Sequence, residues 1–241
     1  MNIIKVNLYY RNMENKLSFS PYFSEDLAEF FGILTGDGYI NQYNYPKRKV
    51  SVIEITGNKE KDFDYIQNYV YTLIKKLFDL TPNIYLRNDQ NSIRAIIYSK
   101  EIFEFIKERG FPLGDKGEIK VPEDIMKKDI LFRRFIKGFF DTDGCLCLKN
   151  KEGKKYPSIG LTSKSKSLLL LMQEFLKSKS ITSYLGRRIK NNSKVDYKLD
   201  INGKENTILF FKEIGSSNLR NIAKYKELQE MGPPGVEPGT T

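Results

Sequence analysis

Two hydrophobic periods alternate along this chain, one near 3.6 residues and one of 2, and together they predict a set of elements that occurs twice. An apolar helix is expected over 24–36, with Ser24 as N-cap and Glu25 and Asp26 in its first turn, and another over 128–142. Each leads into two strands around a polar turn, 39–43 with 50–56 and 145–149 with 158–162. Amphipathic helices come next. Phe63, Ile66, Val70, Leu73 and Leu77 recur at spacings of three and four, as do Leu168, Leu171, Met172, Phe175 and Leu176. A hairpin with an Asn-rich turn follows in each case, NIYLRNDQNSIRAIIYS and SYLGRRIKNNSKVDYKLDI. Helices over 100–109 and 205–214 close the two units. The order αββαββα, run twice, predicts an α+β fold built as a tandem pseudo-two-fold repeat with antiparallel sheets.

The duplication is visible in the residues themselves. FFGILTGDG, beginning at Phe30, and IKGFFDTDG, beginning at Ile136, lie 106 positions apart, and ITGNKEKDF from Ile55 matches LTSKSKSLL from Leu161 at the same offset. EFIKERG ends at Gly110 and LFFKEIG at Gly215. Three blocks in one order define a repeat, with units over 23–120 and 121–230, an N-terminal extension over 1–22, and a Pro- and Gly-rich tail over 231–241 expected to be disordered.

Within the repeated nonapeptide, Gly32 and Gly36, and Gly138 with Thr142, are small residues one turn apart in a helix. Glycine there costs about 1 kcal/mol relative to alanine, and close approach of two helices is the expected compensation. Gly38 and Gly144 stand where a left-handed residue would end each helix. The acids before them, Asp37 and Asp143, face the unfavourable end of the helix dipole. If the helices pack side by side, the two carboxylates face one another and repel unless protonated or bridged by a cation.

Composition narrows the chemistry. Among 241 residues there is no histidine, which excludes Ser-His-Asp triads, histidine metal ligands and histidine general bases. The two cysteines, Cys145 and Cys147, cannot build a zinc site or a disulfide framework. Carboxylates and carbonyls remain as cation ligands, and they suit hard metals. Lys and Arg number 40 against 30 Asp and Glu, a formal charge of +10 that favours a polyanionic partner. No apolar run approaches the ~20 residues of a membrane span, and the N-terminus lacks the layout of a signal peptide, so an intracellular, membrane-free protein is expected.

The paired nonapeptides and the αββαββα spacing resemble the LAGLIDADG homing endonucleases in their single-chain, two-motif form, over about 23–228. Phe30 and Ile136 replace the first leucine, and Lys137 replaces an alanine at what is expected to be a helix surface; the earlier acid of the motif is Asp141 in the second copy but Thr35 in the first. The resemblance implies double-strand cleavage of a long asymmetric DNA site. Asp37 and Asp143 would be catalytic metal ligands, with Gly36 and Thr142 beside them in the metal set, using Mg²⁺ or Mn²⁺, with Ca²⁺ as a non-catalytic substitute. It also implies a lysine near each centre, Lys116 in the first unit and Lys224, or Lys226, in the second. Where the family carries a glutamine after the second strand, this chain has Asn58 and Lys164.

The sheets would then form two saddles on the major groove. Strand alternation turns Ile84, Leu86, Ile93 and Ala95 inward and Tyr85, Arg87 and Arg94 outward; in the second unit Leu185, Ile189, Tyr197, Leu199 and Ile201 turn inward and Arg188, Lys190, Lys198 and Asp200 outward. With Lys47, Arg48 and Lys164 these are the candidate DNA contacts. Residues 145–205 hold 14 basic and five acidic side chains, against nine and six in 39–99, so most salt-dependent affinity is expected from the second half. The duplication makes a monomer sufficient. Rival functions on the same scaffold are an intron RNA maturase, with RNA as partner, and a non-cleaving DNA-binding regulator; an intein is disfavoured because no splicing histidine or terminal nucleophile and Asn is present. An intron-encoded origin in a microbial cytoplasm or nucleoid, or an organelle matrix, fits the Asn-, Lys-, Ile- and Tyr-rich composition.

Overall fold

The computed structural model describes residues 18–151, 154–189 and 195–230. The expectations for most of the N-terminal extension, for the tail and for Lys190 lie outside these residues. The first unit comprises α1 (Glu25–Asp37), β1 (Gly38–Tyr45), β2 (Arg48–Asn58), a π-helical stretch (Tyr65–Val70) continuing into α2 (Tyr71–Phe78), β3 (Asn83–Arg87), β4 (Ser92–Ile97) and α3 (Lys100–Glu108). A short helix, α4 (Glu123–Met126), joins it to the second unit: α5 (Asp129–Asp143), β5 (Gly144–Lys151), β6 (Lys154–Ser163), α6 (Lys166–Ser178), β7 (Tyr184–Ile189), β8 (Val195–Asn202) and α7 (Lys204–Glu213). A further helix, α8 (Leu219–Glu230), follows. The fold is α+β, with two four-stranded antiparallel sheets ordered β1-β2-β4-β3 and β5-β6-β8-β7.

Each sheet packs one face on helices. Ile40, Ile53, Ile55, Ile93, Ala95 and Ile97 bury the inner face of the first, and Leu146, Ile159, Leu161, Leu199 and Ile201 that of the second. Alternation therefore assigns faces correctly through the middle of each strand. It fails at the ends, where Leu86 is 54% and Ile189 70% exposed, because β3 and β7 are edge strands that run past the helices. Phe63 is likewise exposed: it lies in the first helical turn but off the packed face, and the buried stripe is Tyr65, Ile66, Val70, Leu73 and Ile74.

The two units meet along α1 and α5. A Cβ on Gly32 would stand 2.0 Å from the Phe135 carbonyl oxygen, and one on Gly138 would stand 2.2 Å from that of Glu29, so glycine is needed for backbone contact in both directions. Ser24 caps α1 through the Leu27 N–H, as expected. Gly38 and Gly144 are not left-handed. Both are extended (φ −83° and −107°), and glycine is required there because a Cβ would press on the preceding turn, 2.4 Å from the Leu34 oxygen and 2.5 Å from that of Phe140. Nor is Lys137 on a surface. It is buried in the seam with its Nζ 3.1 Å from Glu29, which is fully buried and also receives the Tyr69 hydroxyl and, at 3.2 Å, Arg134.

Candidate active site

Asp37 and Asp143 are the last residues of α1 and α5. A Cβ on Gly36 would stand 1.9 Å from the Thr142 hydroxyl and 3.3 Å from the Asp143 amide, so the helix ends touch and carry both acids to one place. Asp37 is half-buried and Asp143 exposed. Burial, and then the charge of Asp143, raise the Asp37 pKa to about 7, with Asp62 adding to the rise and Lys116 and Arg220 opposing it. The pair therefore holds charge that a cation would relieve.

Lys116 projects from the segment after α3 onto the end of α1. Its Nζ donates to the carbonyls of Leu34 (3.3 Å), Thr35 (3.0 Å) and Gly36, satisfying oxygens that a helix C-terminus leaves open. Burial lowers its pKa, and the two motif acids pull it back up. Lys224, on α8, donates instead to the Leu146 carbonyl of β5 at 2.9 Å and lines a cleft of about 610 Å³ with Lys61, Thr142, Asp143, Gly144, Cys145 and Arg220. Lys226 is exposed on the same helix. Among the described residues no cluster of three or more His, Cys, Asp or Glu forms, so the acidic donors at this place are the two motif carboxylates, with main-chain oxygens beside them.

The segments after α3 and α7 each cross to the other unit. The first brings Asp115 to Lys164 (2.9 Å), and Glu118 to the hydroxyls of Ser165 (2.8 Å) and Ser167 (2.6 Å). The second brings Arg220 to Asp62 (3.2 Å). Its path is fixed by Asp141, whose carboxylate accepts from the Ser216 hydroxyl and from the Ser217 N–H (2.7 Å). Burial raises the Asp141 pKa to about 7 and these bonds oppose the rise, which is a supporting role for the motif acid that the first unit replaces by Thr35. The Thr35 hydroxyl donates to the Phe31 carbonyl of its own helix. Sequence reasoning missed Asp62, Asn218 and Arg220. Asn58 closes the 58–62 turn by accepting from the Glu60 and Lys61 N–H groups, so its side-chain oxygen is spent on the backbone.

On the outer sheet faces, Tyr85 and Arg94 are cross-strand partners, with Thr56 next to Arg94. Arg94 is half-buried on Glu54 (3.3 Å), Arg87 pairs with Asp89 (2.6 Å), and Lys198 pairs with Asp200. Lys47, Arg48 and Arg188 are exposed, and Arg188 shares its face with Lys198 and Asp200. Lys164 lies beyond β6, in the turn that meets Asp115, and not on the sheet face. The same outward parity exposes Tyr43, Tyr45, Tyr156 and Tyr184, an aromatic set that alternation alone could have found.

Two antiparallel sheets thus accompany paired helices that end in acids. The family profile of the LAGLIDADG-like domain matches residues 132–215. Solved structures are similar across both units. I-DmoI in complex with DNA and Ca has a TM-score of 0.60 at 18% identity, covering 84% of this chain and 97% of that one. I-AabMI, a LAGLIDADG meganuclease bound to uncleaved DNA, has a TM-score of 0.54 at 12% identity, covering 86% and 89%. In sequence, 218 residues are 29% identical to a Methanocaldococcus jannaschii protein described as replication factor C small subunit; the match takes 86% of this chain but spans only a tenth of that relative. The second unit is thus matched by the LAGLIDADG-like family profile, and the two units together have the fold of these solved structures.

Proposed function

We propose that the protein is a site-specific DNA endonuclease that makes metal-dependent breaks in both strands of a long asymmetric duplex, acting as a monomer. The observation that carries this is the meeting of Asp37 and Asp143 at the touching ends of α1 and α5, between two exposed sheet faces. Similar chains were solved on DNA with Ca or with Mn, which supports a divalent cation here. The donor set fits: two hard carboxylates, one raised to about pKa 7 by burial and by its neighbour's charge, are stabilised by a shared cation. Asp37 and Asp143 would hold it, with the main chain at Gly36 and Thr142. Such an ion activates water and neutralises charge on the leaving oxygen of a phosphodiester.

The remaining roles belong to the chain. Lys116, on the Leu34–Gly36 carbonyls, steadies the helix end that aims Asp37 and keeps a cation beside it. Lys224 and Lys61 line the Asp143 cleft, where a phosphate would find positive charge. Arg87, Arg94, Lys198 and Asp200 sit in internal ion pairs, so base contacts from them require exchanging a protein partner for DNA, while Lys47, Arg48, Tyr85 and Arg188 are exposed for phosphate and groove contacts. The test is to recover the tightest-bound duplex from a randomised pool and incubate it with protein and Mg²⁺ or Mn²⁺. Double-strand breaks that EDTA abolishes are expected; tight binding without cutting in either metal would make the protein a DNA-binding regulator.

A further inference from the structure

Arg220 lines the cleft at Asp143 together with Lys61 and Lys224. Asn218 caps α8, its Oδ1 accepting from the Arg220 N–H at 3.1 Å, while its Nδ2 donates to the Asp141 carbonyl at 3.0 Å and reaches toward Asp62 at 3.5 Å. One buried side chain thus ties the start of α8 to the end of α5 and to the other unit. Arg220, two residues on, lines the Asp143 cleft, acts electrostatically on Asp37 and spends one guanidinium nitrogen on Asp62. Its Nε is buried and has no hydrogen-bond partner among the described residues, so its fork is only partly used. Asp62 is itself fixed, its other oxygen accepting from the Asn58 N–H at 2.9 Å.

From this arrangement we infer that Arg220 is a catalytic cation that the second unit delivers to the scissile phosphate at the junction of the two motif acids, and that Asp62 of the first unit is its positioning residue. This deepens the endonuclease function proposed above and depends on it. Arginine suits the task because its planar fork holds Asp62 with one edge while another meets a phosphate oxygen, which a single ammonium cannot do. Arg220 and Asp62 come from opposite units, so the cation is in place only when the units are docked.

The experiment uses the full chain, the duplex selected from the randomised pool, and saturating protein with Mg²⁺, so that the rate reports chemistry and not binding. Arg220→Gln should cut about 100-fold more slowly, the usual scale for losing one charge-stabilising donor, with a Kd for the duplex within about threefold of wild type. Arg220→Lys should recover part of that rate. Asp62→Asn should lower the rate by a smaller factor at unchanged Kd. Wild-type rates in Arg220→Gln, or a slowing matched by an equal loss of affinity, would overturn the inference. Should Arg220→Gln fail to fold, wild-type rates in both Arg220→Lys and Asp62→Asn overturn it equally. Asp37→Asn separates the two levels. If it is inactive while Arg220→Gln is fully active, only the role of Arg220 falls; if it cuts normally, or if the wild type cuts nothing, the endonuclease function falls and the role of Arg220 with it.

Discussion

The segment trailing α3 and the segment trailing α7 make equivalent crossings to the turn after the second strand of the opposite unit, and they do so with opposite polarity. In the first crossing the trailing segment brings the acid, Asp115, and the turn supplies the base, Lys164; both are open to water, Asp115 being 88% exposed. In the second the trailing segment brings the base, Arg220, and the turn supplies the acid, Asp62, with the pair only 28% and 14% exposed. Duplication provides the geometry twice. Burial then decides what each copy is worth, since an exposed pair is screened while a covered one is held. The seam shows the same divergence: Glu29 and Phe135 occupy equivalent positions, as do Phe31 and Lys137, so that each pair of positions holds one aromatic and one charged residue.

That contrast is broken most severely at the seam. Glu29→Ala strips the buried partner from Lys137 and from one side of Arg134, and should cost about 3–5 kcal/mol in denaturant unfolding, the scale for breaking a buried ion pair. A loss below about 1 kcal/mol would mean that the pair contributes no more than a surface one.

The crossings give a smaller effect. Asp62→Asn should destabilise by about 1–3 kcal/mol, because Arg220 keeps a covered charge with a weaker partner, whereas Asp115→Asn should change stability by less than about 1 kcal/mol. Equal changes in thermal melts of the two variants would remove the distinction between them.

The smallest effect is on the salt dependence of DNA binding. Neutralising Lys149, Lys155, Arg187 and Arg188 should flatten the slope of log affinity against log salt more than neutralising Lys47, Arg48, Lys49 and Arg87, by roughly 0.9 for each further phosphate left without a cation. Equal slopes would show that the larger positive balance of 145–205 does not locate the binding charge.

The symmetric part of this molecule is legible in its sequence and the asymmetric part is not. Periodicity and the 106-residue offset predict the αββαββα order, the glycine contacts between α1 and α5 and the convergence of Asp37 with Asp143, because each is a local pattern stated twice. Lys137 misleads, since a lysine in a motif suggests solvent, whereas its distant partners Glu29 and Tyr69 make burial tolerable. Asn218 and Asp62 are 156 residues apart, with no repeated block to align them. Leu86 and Ile189 keep the parity of inward residues but lie past the edge of the core, a boundary that alternation cannot sense. The position of Gly38 and Gly144 at a helix end suggests an unusual φ; what they need is space above Leu34 and Phe140.

In the proposed centre Asp37 and Asp143, one acid from each unit, act together in metal-dependent cutting of DNA. A comparison of wild type, Asp37→Asn and Asp143→Asn on the selected duplex in Mg²⁺, with binding measured on the same samples, decides whether both acids are needed. Each variant should lose double-strand cleavage by more than the roughly 10–100-fold typical of outer partners of a metal ligand, at a Kd within a few-fold of wild type, because phosphate contacts are spread over both sheets. Double-strand cutting at the wild-type rate by either variant would contradict it.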